Sequence, residues 1–447
     1  MNEANEKIGR LIYQIRQERG LTQAAFAKKL GTSQSAVNRI EHGKQNLSLD
    51  TLGRISDVLD KQIITLGGGA VNLRVEGGHE LKGEITLKKS KNAAVAILCA
   101  SILNKGTTHL KGIPKIEEVN RIIEVLTSIG VNVRWVGDSD LEIKVPTQLN
   151  LDSINKEAAR KTRIVILLAG ALMHDLNEFK IPYAGGCEIG KRTILPHIYA
   201  LEEFGVSIEA HKGNYHISVK RRLPNRPVVL YESGDTTTEN AILAAARTDG
   251  ETIIKMASAN YMGQDLCFFL QKLGVRIDGI GTTTLRIRGI KNIKRNVTYA
   301  PSEDPVEAMT FIAAAVTTNS SITINRAPIE FLELELLKLE KMGLKFSVSD
   351  TYKAENGFTN LVDIKIHKHN GELVAPEDKI YGRPYPGLNI DHVPYFVPIV
   401  ASAKGRSLIH DWVYENRALM YTDMEKVGVD LELADPHRVF INGPTDW

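Results

Sequence analysis

The chain has 447 residues, 43% of them hydrophobic and 24% charged, with a formal charge of +3 and three cysteines. That length asks for two or three globular folding units, and a charge so near neutral does not by itself select nucleic acid or a membrane as a partner. Cys99, Cys187 and Cys267 form no CxxC pair, which argues against a disulfide framework or a structural zinc site, and the longest apolar run, Ile164 to Met173, is well short of the roughly 18–20 residues a bilayer needs. The first ten residues lack the apolar core of a signal peptide. The expectation is a cytoplasmic protein with no membrane partner.

Residues 1–66 read as four or five short helices. Ile8, Leu11, Ile12 and Ile15 recur at three- and four-residue spacing and give the first helix one apolar face. Thr22 caps a second helix that Gly31 stops, Thr32-Ser33 cap a third running through Val37 and Ile40, and Ser48 opens a fourth burying Leu52, Ile55 and Leu59. The link Leu30-Gly31-Thr32 is short enough to turn the second helix sharply into the third. Ten basic side chains stand against seven acidic ones in this module, so it holds the positive excess of the whole chain. A small bundle or a protein-interaction cap would share the helical pattern.

The stretch LTQAAFAKKLGTSQSAVNRIEHGKQNLSLDTL resembles the lambda-repressor/Cro-like helix-turn-helix family. The resemblance implies DNA as a partner, with Gln34, Ser35 and Arg39 facing base edges and Gln23 anchoring a phosphate. A single module of this kind binds weakly, so a dimer on a two-fold site is implied. Gly67-Gly68-Gly69 then reads as a flexible joint, with a linker over 67–70 and a second domain over 71–447.

Beyond the joint one phrase recurs: an amphipathic helix, an apolar residue, glycine, another apolar residue and a strand. The copies are LTSIGVNV, LEEFGVSI, LQKLGVRI, LEKMGLKF and MEKVGVDL, with Gly130, Gly205, Gly274, Gly343 and Gly428 spaced 75, 69, 69 and 85 residues apart. Each glycine falls where a helix must turn at positive φ into the next strand. Ahead of each lies a second helix rich in small residues: NAAVAILCASIL, RIVILLAGALM, ENAILAAAR, EAMTFIAAAV and YFVPIVASA. Small side chains let helix axes approach closely. Repeats of this length suit separate βαβ-type units with helices inside and sheets outside, grouped into two lobes around a cleft.

Residues 71–447 resemble the UDP-N-acetylglucosamine 1-carboxyvinyltransferase family, whose fold is shared with the shikimate-pathway enolpyruvyl transferases. The resemblance implies an α/β class: an inside-out α/β barrel (α/β prism) of repeated units in two lobes of three. Lobe one would span about 91–298, and lobe two about 71–90 plus 299–447. Five copies of the phrase are present, so lobe two is expected to lack its sixth unit, and a truncated chain or association with another copy would account for that.

The family's reaction moves the enolpyruvyl group of phosphoenolpyruvate to the 3-hydroxyl of UDP-N-acetylglucosamine and opens peptidoglycan precursor synthesis. Such chemistry needs cations for phosphate and carboxylate, a base for the hydroxyl proton, an acid for the alkene carbon, and exclusion of water. By the resemblance, Lys91 and Asn92 in LKKSKNAA form the family's Lys-Asn pair, Arg163 contacts UDP, and Arg192 and Arg417 clamp phosphoenolpyruvate. Each alone would be an ordinary surface charge. Cys187 follows two glycines and precedes Lys191 and Arg192, cations that favour a thiolate. The family loop GGCxIGxRPxxxH is GGCEIGKRTILPH here, retaining Cys187 as the implied proton donor together with Gly190, Arg192 and His197. Asp304 in YAPSEDPVEAMTF is the implied base, although a carboxylate before Pro305 is also a helix cap. Asp391 in PGLNIDHVPYF matches a second family aspartate beside phosphoenolpyruvate. Cys99 and Cys267 read as inert core. No GxxxxGKS loop or metal-ligand spacing occurs, so no cofactor or metal is expected.

Thr193 and Leu195 stand where the family has proline and aspartate, SGDTTTEN replaces SVGATEN with Thr236 at a glycine position, and Asn260-Tyr261-Met262-Gly263 replaces an acidic pair. These departures fall around the UDP portion of the acceptor. A regulator that uses a degenerate transferase fold to sense UDP-sugar or phosphoenolpyruvate is the alternative reading.

Overall fold

A computed structural model describes residues 3–44, 49–59, 77–185, 193–220 and 222–447. The chain divides into two units, residues 1–77 and 78–447. The joint expected at 67–70 and the Ser48 cap lie outside the described residues.

The first unit is all helical: Glu3–Glu18, Gln23–Leu30, Gln34–Glu41 and Leu49–Leu59. Thr22 and Ser33 cap the second and third helices by accepting from Ala25 N and Ala36 N, and Gly31 between them takes φ 70°. Ile12, Ile15, Phe26, Leu30, Val37, Ile40, Leu52, Ile55 and Leu59 make the core. Leu11, expected on the buried face of the first helix, is 38% exposed, while Ile12 and Ile15 are buried. A buried ion pair ties the first helix to the third. Arg16 Nη2 donates to Glu41 Oε2 at 3.1 Å and Arg16 Nη1 to Leu21 O at 2.6 Å, while Gln23 Nε2 donates to the same Glu41 oxygen at 2.7 Å.

Among the described residues, the second unit has five sheets packed outside small-residue helices. The helices are Lys91–Ala100, Leu168–Leu172 with its leading 3-10 turn Ile164–Leu167, Asp235–Ala246, Pro305–Thr317 and Val393–Ala401. They coincide with the five alanine-rich segments, and the repeated glycines all take positive φ, from 77° at Gly205 to 98° at Gly130. The last of these glycines ends the 3-10 helix Tyr421–Val427 rather than an α-helix. Four of these sheets are mainly antiparallel and receive one parallel strand, as Val297–Tyr299 beside Thr107–Leu110 and Lys82–Thr86 beside Ser321–Pro328. The three-stranded sheet of Glu178–Pro182, Asn214–Val219 and Val206–His211 is wholly antiparallel.

Three sheets and the first three inner helices enclose one core, and two sheets and the last two helices enclose another. This is an inside-out α/β barrel in two lobes. The chain crosses between them twice, and the crossings pair: Ser90 N donates to Ser302 O at 2.8 Å and Asp304 N to Lys88 O at 3.0 Å. At this hinge the buried Glu303 Oε1 accepts from Lys89 Nζ at 2.8 Å and Arg326 Nη2 at 2.6 Å. No described helix is long and apolar enough to cross a membrane.

Two inner helices approach closely where Gly170 meets the helix Asp235–Ala246. Gly170 N donates to Asn240 Oδ1 at 2.9 Å, and a Cβ on Gly170 would lie 2.4 Å from that oxygen and 2.5 Å from Asn240 O. Gly170→Ala is therefore expected to destabilise the second unit by about 1–3 kcal/mol, the cost of overpacking a rigid core. Denaturant unfolding checks this, and an unchanged midpoint would contradict it.

Candidate active site

The inner helices all start at one place. Lys91 and Asn92 open the first, Arg163 and Ile164 the second, Asp235, Thr236 and Glu239 the third, Asp304 caps the fourth, and Asn389 to Asp391 lead into the fifth. With Asp304 as the exception, these residues line one cavity of about 1170 Å³ between the lobes. Aligned amides give a helix start a partial positive charge, so the cavity wall favours anions before any side chain is counted. Outer segments complete it with Gly185, Thr193, Ser258, Asn260, Glu330, Phe331, Glu335, Arg383, Tyr385, Trp412 and Tyr414. Phe331 and Tyr385, which line it, belong to an aromatic run that begins at Tyr261, with Tyr261 to Phe331 at 5.8 Å and Phe331 to Tyr385 at 5.2 Å.

On the lobe-one wall Lys91 Nζ donates to Glu118 at 2.6 Å, Asn92 Nδ2 donates to Tyr261 Oη at 2.9 Å, and Arg163 Nη2 donates to Thr193 O at 2.9 Å. Asp235 accepts from Ser258 Oγ at 2.5 Å and Asn260 Nδ2 at 3.3 Å. Burial nevertheless pushes its carboxyl up to about 6, and burial with the neighbouring Asp235 raises Glu239 well above the usual carboxylate range. Two acids at one helix start are thus held toward their neutral forms. The segment that departs from the family, Asn260 and Tyr261, supplies the partners of Asp235 and Asn92.

Asp304 is placed differently from Asp391. Its Oδ1 accepts from Val306 N at 2.8 Å and Glu307 N at 3.4 Å, and its Oδ2 from Lys91 N at 3.3 Å. Burial raises its pKa against those backbone bonds. It works as a cap that joins the hinge to the first inner helix. Asp391 lines the cavity from lobe two with its side chain 38% exposed. Arg417 is buried: Nε and Nη2 hold Asp411 at 2.5 and 2.8 Å, Nη2 also donates to Ile390 O at 2.6 Å, and Nη1 stands 3.8 Å from Asp391.

His197 is 1% exposed, behind the wall. Burial, with Arg163 nearby, lowers its pKa to about 3, so it is a neutral ring, paired with Asn240 Nδ2 at 3.2 Å and Thr236 Oγ1 at 3.4 Å. It supports the cavity through Thr236 and does not line it. Cys187 and Arg192 lie outside the described residues. Gly185, two residues before Cys187 in the chain, runs so close to Arg160 that a Cβ would fall 1.4 Å from the Arg160 carbonyl oxygen. Cys99 and Cys267 are buried, and burial pushes both thiols up, as inert core requires. Asp235, Glu239, Tyr261, Asp411 and Glu335 were not singled out from the sequence. Asp235 and Tyr261 do fall inside the two segments that depart from the family pattern.

Two lobes of inside-out α/β units, with a cleft lined by helix starts, define a two-lobed transferase of the enolpyruvyl type. Residues 75–445 match the model of the family described as EPSP synthase (3-phosphoshikimate 1-carboxyvinyltransferase), and residues 12–66 match a helix-turn-helix model. The chain belongs to that enolpyruvyl transferase family and carries a helix-turn-helix domain ahead of it. It is 33% identical to the UDP-N-acetylglucosamine 1-carboxyvinyltransferase of Coprothermobacter proteolyticus over 364 residues, 81% of each chain, and 31% identical to that of Deinococcus deserti over 362 residues, again 81% of each. Among solved structures, the enolpyruvyl transferase NikO from Streptomyces tendae superposes with TM-score 0.68 at 20% identity, covering 83% of this chain and 84% of that one. EPSP synthase from Acinetobacter baumannii gives 0.62 at 18%, covering 82% and 83%. These two likenesses bear on the fold.

A carboxyl whose folded pKa is raised contributes stability that is present below its ordinary value and is lost as pH rises through the folded value. For Asp235 that window runs from 3.8 to about 6. Asp235→Asn should make the fall in unfolding free energy across it shallower than in the wild type. Equal slopes in denaturant titrations at several pH values would contradict the assignment.

Proposed function

We propose that the cleft transfers the enolpyruvyl group of phosphoenolpyruvate to the 3-hydroxyl of UDP-N-acetylglucosamine and releases phosphate. The observation that carries this reading is the opposition, across one cavity, of Lys91 and Arg163 at helix starts in lobe one and the exposed carboxylate of Asp391 in lobe two. Lys91 and Arg163, with Arg192 from the adjoining loop, hold the anionic groups, and Asn92 orients the acceptor. Asp391 takes the hydroxyl proton while the oxygen bonds to C2 of phosphoenolpyruvate and Cys187 protonates C3. Return of a proton from C3 to the Cys187 thiolate, with cleavage of the bond between C2 and the bridging oxygen of the phosphate and transfer of the Asp391 proton to that oxygen, then expels phosphate and restores the alkene. Asp391 suits the base better than Asp304, whose oxygens are committed to three backbone amides. Arg417 acts by fixing the turn of Asp391 rather than by clamping phosphoenolpyruvate, since Asp411 already occupies its fork.

We infer that the N-terminal domain binds DNA. Gln34, Ser35 and Arg39 are exposed along the third helix. Gln23 is drawn to Glu41 and orients the helix start as well as meeting a phosphate.

Incubation with both substrates is expected to release phosphate. Cys187→Ala and Asp391→Asn should each lower the rate by about 100-fold or more, the usual scale of acid–base assistance. Ligand binding without turnover in the folded wild-type chain would instead support the sensor reading. For the N-terminal domain, Arg39→Ala is expected to cost about 1–3 kcal/mol at one base pair of the preferred site. A uniform loss across all sequences in a competition assay would contradict base contact by Arg39.

A further inference from the structure

The turn Asn389–His392 that carries Asp391 is gripped from two sides. Glu335, on the helix Glu333–Lys341, accepts from His392 Nδ1 at 2.6 Å and from Asn389 N at 3.4 Å. Arg417 Nη2 donates to Ile390 O at 2.6 Å from the other side, and within the turn Asn389 Oδ1 accepts from Asp391 N at 2.9 Å. Every backbone unit on either side of the Asp391 side chain is therefore fixed by a polar contact.

His392 is fully buried and Glu335 is 3% exposed. A buried acid–imidazole pair is costly to desolvate, and an apolar pair of similar volume is often at least as stable. His392 Nε2 and Asn389 Nδ2 are also buried, with no hydrogen-bond partner among the described residues. An unsatisfied buried polar atom is a further cost. A pair placed for stability alone would not leave those two atoms without partners one turn from a reacting carboxylate. Local geometry explains them: a carboxylate accepts, so the imidazole donates through Nδ1, and that bond stops the turn from rotating Asp391 away from the cavity.

We infer that Glu335 and His392 are positioning residues, their hydrogen bond aiming the Asp391 carboxylate at the acceptor hydroxyl. The inference rests on Asp391 as the base. Neither residue takes the proton: it passes from the hydroxyl oxygen to Asp391, and the dyad holds the acceptor atom where the transfer occurs.

Steady-state kinetics on the full chain test this with His392→Leu, His392→Asn and the double variant Glu335→Leu/His392→Leu. Misaiming a reacting group by an ångström costs on the order of 100-fold, so His392→Leu and the double variant should lose about that much in kcat, with both KM values within about threefold of wild type. His392→Asn, whose amide can donate to Glu335 in place of Nδ1, should recover kcat to within about fivefold of wild type. The apolar double variant should unfold at a denaturant concentration no lower than wild type, which separates aiming from folding. Wild-type kcat in the double variant, or equal loss in His392→Leu and His392→Asn, overturns the inference while leaving the transferase reading intact. A folded wild-type chain without turnover overturns both.

Discussion

The close packing of small-residue helices inside each lobe is the constraint on which the rest of the second unit depends. Because Gly170 meets the Asn240 backbone directly, and the helices Lys91–Ala100 and Asp235–Ala246 bury nearly every side chain, these helices have almost no freedom to slide. Their starts are thereby held around one cavity. Residues that elsewhere would only cap a helix become its wall: Lys91 follows the cap Ser90, Asp235 follows Gly234, and Asp391 precedes the helix Val393–Ala401. Helix dipoles supply a field that favours anions, while burial raises the Asp235 carboxyl to about 6 and Glu239 well above the carboxylate range, so the charge of Glu239 opposes that field least.

Two separate cores joined by two paired crossings give the molecule its second property. Each lobe has its own core, and polar contacts hold the chain near the crossings. Glu303 is held by Lys89 and Arg326 at the hinge. Asp265 on the lobe-one helix Tyr261–Lys272 accepts from Ser302 N at 2.7 Å and from Asn356 Nδ2 of lobe two at 3.2 Å, and Phe268 stacks on Phe358 at 4.2 Å beside it. Groups from both lobes meet the cavity, so lobe geometry and site geometry are one problem. Asp304 shows the coupling: its carboxylate caps a lobe-two helix while accepting from the first amide of a lobe-one helix.

Much of this was legible in the sequence because it rests on local rules. The repeated glycines mark helix ends that need positive φ, the alanine-rich segments mark inner helices, and Thr22, Gly31 and Ser33 mark the helix-turn-helix. Among the site residues, Lys91, Asn92, Arg163 and Asp391 reach the cavity, because a motif at a helix start fixes where along the helix a residue falls. Motifs do not say which way the side chain is drawn. Asp304 is pulled back by three amides, Arg417 by Asp411, and His197 by Asn240, each a partner that pattern alone does not reveal. Asp235 and Glu335 were hidden for a related reason. Their meaning lies in Asn260 and His392, 25 and 57 positions away in the chain. Leu11 fits the periodicity of a buried face yet is exposed.

The central claim is that the cavity joins two substrates held by lobe-one residues while Asp391 of lobe two takes the proton. Mass spectrometry of UDP-N-acetylglucosamine after incubation with phosphoenolpyruvate labelled in all its carbons tests it most directly. The account predicts a nucleotide sugar that has gained the labelled enolpyruvyl group, formed by the wild-type chain and lost with Asp391→Asn. An unlabelled sugar recovered from folded wild-type protein saturated with both substrates would contradict it.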